Sequence, residues 1–136
     1  MRSIIQQSVV VPAAADELFE MYLDPARHAA ITGASATIAR QSGSPFEAFG
    51  GRLTGTILAV VAPRLIVQWW RSIMFKASDP DSTLVLTFSS QPDLAGRSQG
   101  RIDLVHLDVP DHDYQGVTDG WPKFYWTPWR AYLDKD

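Results

Sequence analysis

The sequence predicts an α+β fold in which one antiparallel sheet wraps a long C-terminal helix. Three observations point there. A β-branched run at the N-terminus gives way to two short helical patterns before residue 34. Residues 34–109 then alternate strand-like runs with short turn-rich connections, which favour antiparallel neighbours because a parallel crossover needs a dozen residues or more. Finally, residues 120–129 read GWPKFYWTPW, five aromatic rings in ten positions, and only a buried element can hide so much apolar surface. With 136 residues and no repeat or linker, residues 1–136 are expected to form a single domain.

Residues 3–11 are rich in Val and Ile and end at Pro12, the pattern of a strand. From Ala13 the period changes: Ala15, Leu18, Phe19 and Tyr22 fall on one helical face, with Asp16 and Glu17 where the helix dipole favours negative charge. Asp24-Pro25 breaks this helix, and Pro25 opens a second one through Ile31 that Gly33 stops. Strands are expected over residues 34–40, 46–49, 52–61, 65–72, 83–89 and 100–109, separated by Gly-, Pro-, Asp- and Ser-rich turns. Several are apolar on both faces, as in Leu65-Ile66-Val67-Gln68-Trp69-Trp70, so each face must be covered or line something. The last helix is expected to start near Thr118 or Asp119, both good N-caps. Trp121, Phe124, Tyr125, Trp129, Tyr132 and Leu133 then make one apolar face, and Lys123, Arg130, Asp134 and Lys135 fall largely elsewhere.

Composition excludes several function classes. A net charge of −3 supplies no basic field for phosphates, so nucleic acid is not an expected partner. The absence of cysteine removes disulfides, thiol nucleophiles and cysteine-ligated metals, and fits a cytoplasmic location. Gln6, Gln7 and Ser8 interrupt any secretory apolar core, and no window approaches the roughly 18 apolar residues of a membrane span.

Four stretches resemble the START-like (SRPBCC, birch-allergen-like) superfamily and, within it, the homologues of the activator of heat-shock protein 90 ATPase. They are VVVPAAADELFEMYLDPARHAAITGASA at positions 9–36, FEAFGG with a glycine four residues on at 46–55, IVQWWR at 66–71 and GWPKFYWTPWRAYL at 120–133. The resemblance implies a helix-grip fold, a curved sheet around the C-terminal helix with a cavity between them. Association with a chaperone and a stress response come with it, and a homodimer is compatible. The eukaryotic co-chaperone has a separate N-terminal domain for which these 136 residues leave no room, so stand-alone ATPase activation is not expected.

Catalytic motifs are sparse. No G-x-S-x-G elbow occurs, and Gly50-Gly51 lacks the lysine and helix start of a phosphate loop, leaving a hairpin or bulge as its role. His106, Asp108, Asp111, His112 and Asp113 offer metal-ligand chemistry, but Pro110 makes the run a turn with nothing to fix a geometry, so no metal or other cofactor is expected. Asp24 and His28 straddle a helix break, where capping explains the aspartate. His106 alternates with Ile102 and Leu104 on one strand face, either as a satisfied core histidine or as a polar group in a cavity. Arg71 is the candidate polar anchor if it points inward. Pro128 cannot bond the Phe124 carbonyl and should bend the last helix.

These readings converge on non-catalytic binding of a small apolar or amphipathic molecule. Trp70, Phe88, Leu104, His106, Trp121, Tyr125 and Trp129 are the expected wall. A protein-interaction module and a cyclase- or hydrolase-type enzyme are the alternatives, because fold alone does not decide function.

Overall fold

The computed structural model describes residues 2–134, so Lys135 of the expected polar helix face lies outside the described residues. β1 (Arg2–Val11) leads into α1 (Ala15–Leu23) and α2 (Pro25–Thr32), followed by β2 (Ala36–Thr37), β3 (Pro45–Ala48), β4 (Leu53–Val61), β5 (Leu65–Ser72), β6 (Ser82–Ser90) and β7 (Gly100–Pro110). The C-terminal helix is three segments in series: α3 (Tyr114–Trp121), a π-helical turn (Pro122–Trp126) and α4 (Thr127–Leu133).

All neighbouring strands are antiparallel, in the order β1-β7-β6-β5-β4-β3-β2. Side chains alternate across the sheet, so Leu84, Leu86 and Phe88 of β6 and Ile102, Leu104 and His106 of β7 face one core. α1 contributes Leu18, Phe19 and Tyr22 to it, and the C-terminal helix Trp121, Tyr125, Trp126 and Trp129. Burying a large apolar side chain contributes about 1.5–3 kcal/mol, which makes this core the main source of stability.

Local chemistry explains the helix boundaries. The Asp24 side chain accepts from the N–H groups of Ala26 and Arg27, Pro25 occupies the first turn, and Gly33 ends α2 with φ of 77°. Gly55 lies opposite Trp70 across β4 and β5, where an added Cβ would sit 1.9 Å from the Trp69 carbonyl oxygen.

Two expectations need correcting. The segment expected as a strand over 34–40 pairs only at Ala36–Thr37, because its partner β3 has just four residues. The last helix begins at Tyr114, one turn ahead of the expected caps, because the 3-10 turn Asp111–Asp113 launches it directly from β7.

A π turn interrupts that helix, in which the Thr127 N–H bonds the Pro122 carbonyl five residues back, and Pro128, expected to bend the helix, sits in the first turn of α4. In an α-helix, residues five apart point about 140° away from each other, whereas the wider π turn brings them towards one side of the helix. Trp121 and Trp126 therefore stack, with centroids 5.5 Å apart and planes at 22°. Phe124, placed on the buried face by the α-helical period, is 47% exposed instead, and Trp126 is buried. Pro122 has an effect of its own. Lacking an N–H, it cannot satisfy the Thr118 carbonyl four residues earlier. Gln7 of β1 does so with its Nε2 at 2.9 Å, while its Oε1 accepts from Trp126 Nε1 at 2.8 Å. One amide thus ties an outer strand to both sides of the irregular turn.

Candidate functional site

A pocket of about 630 Å³ opens between the C-terminal helix and the β3–β4–β5 end of the sheet. Its helical wall is Asp113, Gly116, Val117, Gly120, Trp121 and Phe124, spaced i, i+3, i+4, i+7, i+8 and i+11 along one stripe. The sheet side supplies Trp70, Leu53 and Phe49, and Ile73 and Met74 of the β5–β6 loop reach the rim. Arg52 and Asp113 are the charged residues of the lining.

Two glycines on the helical wall define the space. In a helix interior each is about 0.8–1 kcal/mol less favourable than alanine. Neither has positive φ, so the backbone does not demand glycine there. An added Cβ at Gly120 would meet the Phe124 ring at 3.6 Å, an ordinary contact. A side chain there would project along the pocket wall. At Gly116 an added Cβ would instead lie 2.8 Å from Asp113 Oδ1, too close unless that carboxylate moves; at Gly120 the helix gives up propensity beside the pocket without a steric need for glycine.

Behind the wall, each buried histidine sits in a directed hydrogen-bond chain. Trp121 Nε1–H points at His106 Nδ1 at 3.2 Å, so that nitrogen accepts and the proton resides on Nε2. Nε2–H then donates to Ser82 Oγ at 2.8 Å, and the hydroxyl donates to the Trp70 carbonyl at 2.6 Å. Burial pulls the His106 pKa from 6.5 to about 3, and protonation would set two N–H groups against each other. His28 is the mirror case. Its Nδ1 donates to the Tyr22 carbonyl at 2.7 Å, and its Nε2 accepts from the Tyr125 hydroxyl at 2.9 Å. Burial lowers the His28 pKa, with the Tyr22 carbonyl opposing, and raises those of Tyr22 and Tyr125. Tyr22 in turn donates to Gln68 Oε1 at 2.5 Å. Both imidazoles are neutral and occupied. They fix rings rather than offer a free base.

Of the seven residues expected to line a wall, Trp70, Trp121 and Tyr125 meet at the pocket. Phe88, Leu104, His106 and Trp129 do not line it; they are packed core. Phe88 sits edge-on to Phe19 at 5.6 Å, because α1 covers that part of the sheet, and Trp129 Nε1 points at the Met21 sulfur at 3.4 Å. Arg71 is not inward. It donates to the carbonyls of Lys76 and Asp79 at 2.6 and 2.7 Å and to Asp81 at 3.2 Å, pinning the β5–β6 loop. His112 meets Asp79 of that loop at 2.8 Å, and this bond holds the Asp79 carboxyl below its ordinary range.

The sequence pattern does not point to Arg52, Gly116 or Gly120. A charge in a glycine turn has no periodicity, and a helix taken to start at Thr118 leaves Gly116 outside it. Gln7 reads as an ordinary strand polar residue; only Pro122 signals that a carbonyl needs a partner.

A curved antiparallel sheet around a terminal helix, with two short helices after the first strand, defines a START-like helix-grip protein. The sequence profile described as "Activator of Hsp90 ATPase homolog 1-like protein" matches residues 12–134, and the chain belongs to that family. No curated protein matches the sequence. An HSP90 activator from Plasmodium falciparum superposes with a TM-score of 0.82 at 17% identity, covering 96% of each chain. A protein from Mesorhizobium loti gives 0.75 at 18% identity over 98% of both chains. The Aha1 dimer from Colwellia psychrerythraea gives 0.72 at 11% identity over 90% of both. At these identities the likeness is one of fold.

Proposed function

We propose that this chain binds a small apolar or amphipathic molecule in the pocket beside α3, without catalysing a reaction on it. One observation carries the reading: a 630 Å³ pocket between helix and sheet, lined by aromatic rings and by Gly116 and Gly120 on its helical wall. The volume falls in the range of about 300–1,000 Å³ typical of small-molecule sites. Trp70, Trp121 and Tyr125 supply apolar wall, and both histidines behind it are committed to fixed neutral partners. The cytoplasm is the proposed location.

The test is calorimetric titration with a panel of apolar and amphipathic probes, repeated on Gly120→Leu, which puts a branched side chain into the space. Saturable binding to the wild type that the substitution abolishes is expected. Equal binding by both proteins would move the ligand elsewhere, and no binding by any probe would remove the reading.

A chaperone-associated role is the second reading, favoured by family membership and by Ile73, Met74 and Phe124 standing exposed around the pocket mouth. Here the rim would meet a protein, and a homodimer could use the same face. Added to purified heat-shock protein 90, the chain is expected to leave ATP hydrolysis unchanged if ligand binding is its main role. Saturable stimulation lost in Met74→Asp would make the interaction role the principal one.

A further inference from the structure

We infer that the pocket takes an amphipathic anion, its oxyanion head held by Arg52 at the mouth and its apolar tail against Trp121 and Val117. This rests on the ligand-binding reading above and specifies the ligand class for the same site. Among the described residues Arg52 is the only cation of the lining. Arg27, Arg40, Arg71, Arg97 and Arg101 are each paired with a carboxylate, and Arg130 bonds the Val10 carbonyl. Among the arginines whose side chains are described, only Arg52 and Arg64 have no such partner, and Arg64 sits at the β4–β5 turn, outside the pocket lining. An unpaired guanidinium presents a rigid fork of donors that fits an oxyanion through two parallel bonds.

The backbone fixes where this side chain leaves the chain. Arg52 N–H donates to the Phe49 carbonyl at 3.3 Å, and its carbonyl accepts from Ile73 N–H at 3.0 Å. The preceding Phe49, Gly50 and Gly51 all have positive φ, of 54°, 64° and 91°. For a phenylalanine this is a disfavoured conformation, kept where surroundings enforce it and concentrated at functional sites. It lays the Phe49 ring edge-on to Phe124 and Tyr125, at 5.6 and 5.9 Å, beside the arginine it precedes. Aromatic wall and cation thus come from one turn. On the helical side Asp113 makes no side-chain cap bond, and burial raises its carboxyl pKa with neighbouring His112 opposing; its charge sets the sign test, opposing an anion and attracting a cation.

The experiment is calorimetry with decanoate, decanol and decylammonium, which share one tail, on wild type, Arg52→Met and Asp113→Asn. Arg52 is exposed, so the methionine variant is expected to fold, and its melting curve checks this. Wild type should prefer decanoate over decanol by about tenfold or more, the scale of a charge-assisted hydrogen bond. Arg52→Met should erase that preference while leaving decanol affinity within about twofold, and Asp113→Asn should tighten decanoate. Equal wild-type affinity for decanoate and decanol, or a preference that survives Arg52→Met, overturns the anion inference and leaves the apolar pocket standing. A preference for decylammonium overturns it in favour of Asp113. Failure of all three probes removes the pocket reading itself.

Discussion

Gly120→Ala is expected to make the protein more stable, against the usual direction of change at an interior position. The glycine is the penultimate residue of α3, and the π turn from Pro122 continues the helix, so helical residues flank it on both sides. Replacing it with alanine recovers about 0.8–1 kcal/mol of helix propensity. The new methyl would lie 3.6 and 3.9 Å from Phe124 ring carbons, in ordinary contact, so no strain offsets the gain. A net stabilisation of about 0.5–1 kcal/mol follows, or roughly 2–5 °C in Tm for a chain of this size. Gly100→Ala is the control with the opposite sign. There the added Cβ would lie 2.5 Å from Leu18 Cδ1 and 2.7 Å from the Ala13 carbonyl oxygen, backbone that cannot yield cheaply. Differential scanning calorimetry of the three proteins suffices. A Gly120→Ala protein that melts at or below the wild-type temperature would refute the idea that the glycine is there for space.

Trp121→Ala should cost about 3–5 kcal/mol in urea unfolding, and Trp121→Phe about 1–3, the second isolating the loss of the N–H that His106 Nδ1 accepts; a phenylalanine variant as stable as wild type would refute that hydrogen-bonded role. Both buried histidines have folded pKa values below the unfolded 6.5, so the unfolded chain binds more protons and stability falls as pH drops. For His106 the loss runs from about pH 6.5 down towards 3, at up to about 1.4 kcal/mol per pH unit, and His106→Asn should show a shallower profile. Gln7→Ala should cost about 1–3 kcal/mol by orphaning the Thr118 carbonyl and Trp126 Nε1. In a Pro122→Ala background, where an N–H returns for Thr118, that cost should shrink, and strict additivity in the double-mutant cycle would speak against the link.

Much of the fold is legible because each element repeats one signal several times. The Ala15–Tyr22 face, the Asp24-Pro25 break and the alternation of β6 and β7 leave little choice about which side is buried. Legibility fails where a single turn changes the rule. The π turn over Pro122–Trp126 breaks the α-helical period, so Phe124 points outward and Trp126 is buried, although period counting places them the other way. The aromatic helix face is readable as interior, but not which rings meet a pocket: Trp121 and Trp129 share one α-helical stripe, yet only Trp121 lines the space. That division depends on α1, whose Met21 and Phe19 fill the far end of the grip. A pocket depends on what is missing from a surface, and Gly116 and Gly120 carry that information without any apolar signature.

The ring column running from β5 into the C-terminal helix is also an optical object. Trp70, Trp121, Trp126 and Trp129 follow one another with centroids 6.0, 5.5 and 6.4 Å apart, and the last two pairs lie within 26° of parallel. At such separations the indole transition dipoles couple, so their ultraviolet absorption and circular dichroism belong to the column and not to single residues. Excitation will also migrate between them before emission, depolarising the fluorescence even though each ring is rigidly held. The π turn sets the phase of this array. Any event that slips the helix by one residue would part Trp121 from Trp126 and erase the coupled signal while the helix content stayed nearly constant. The protein therefore carries a native, label-free reporter of helix register, readable without altering a single atom.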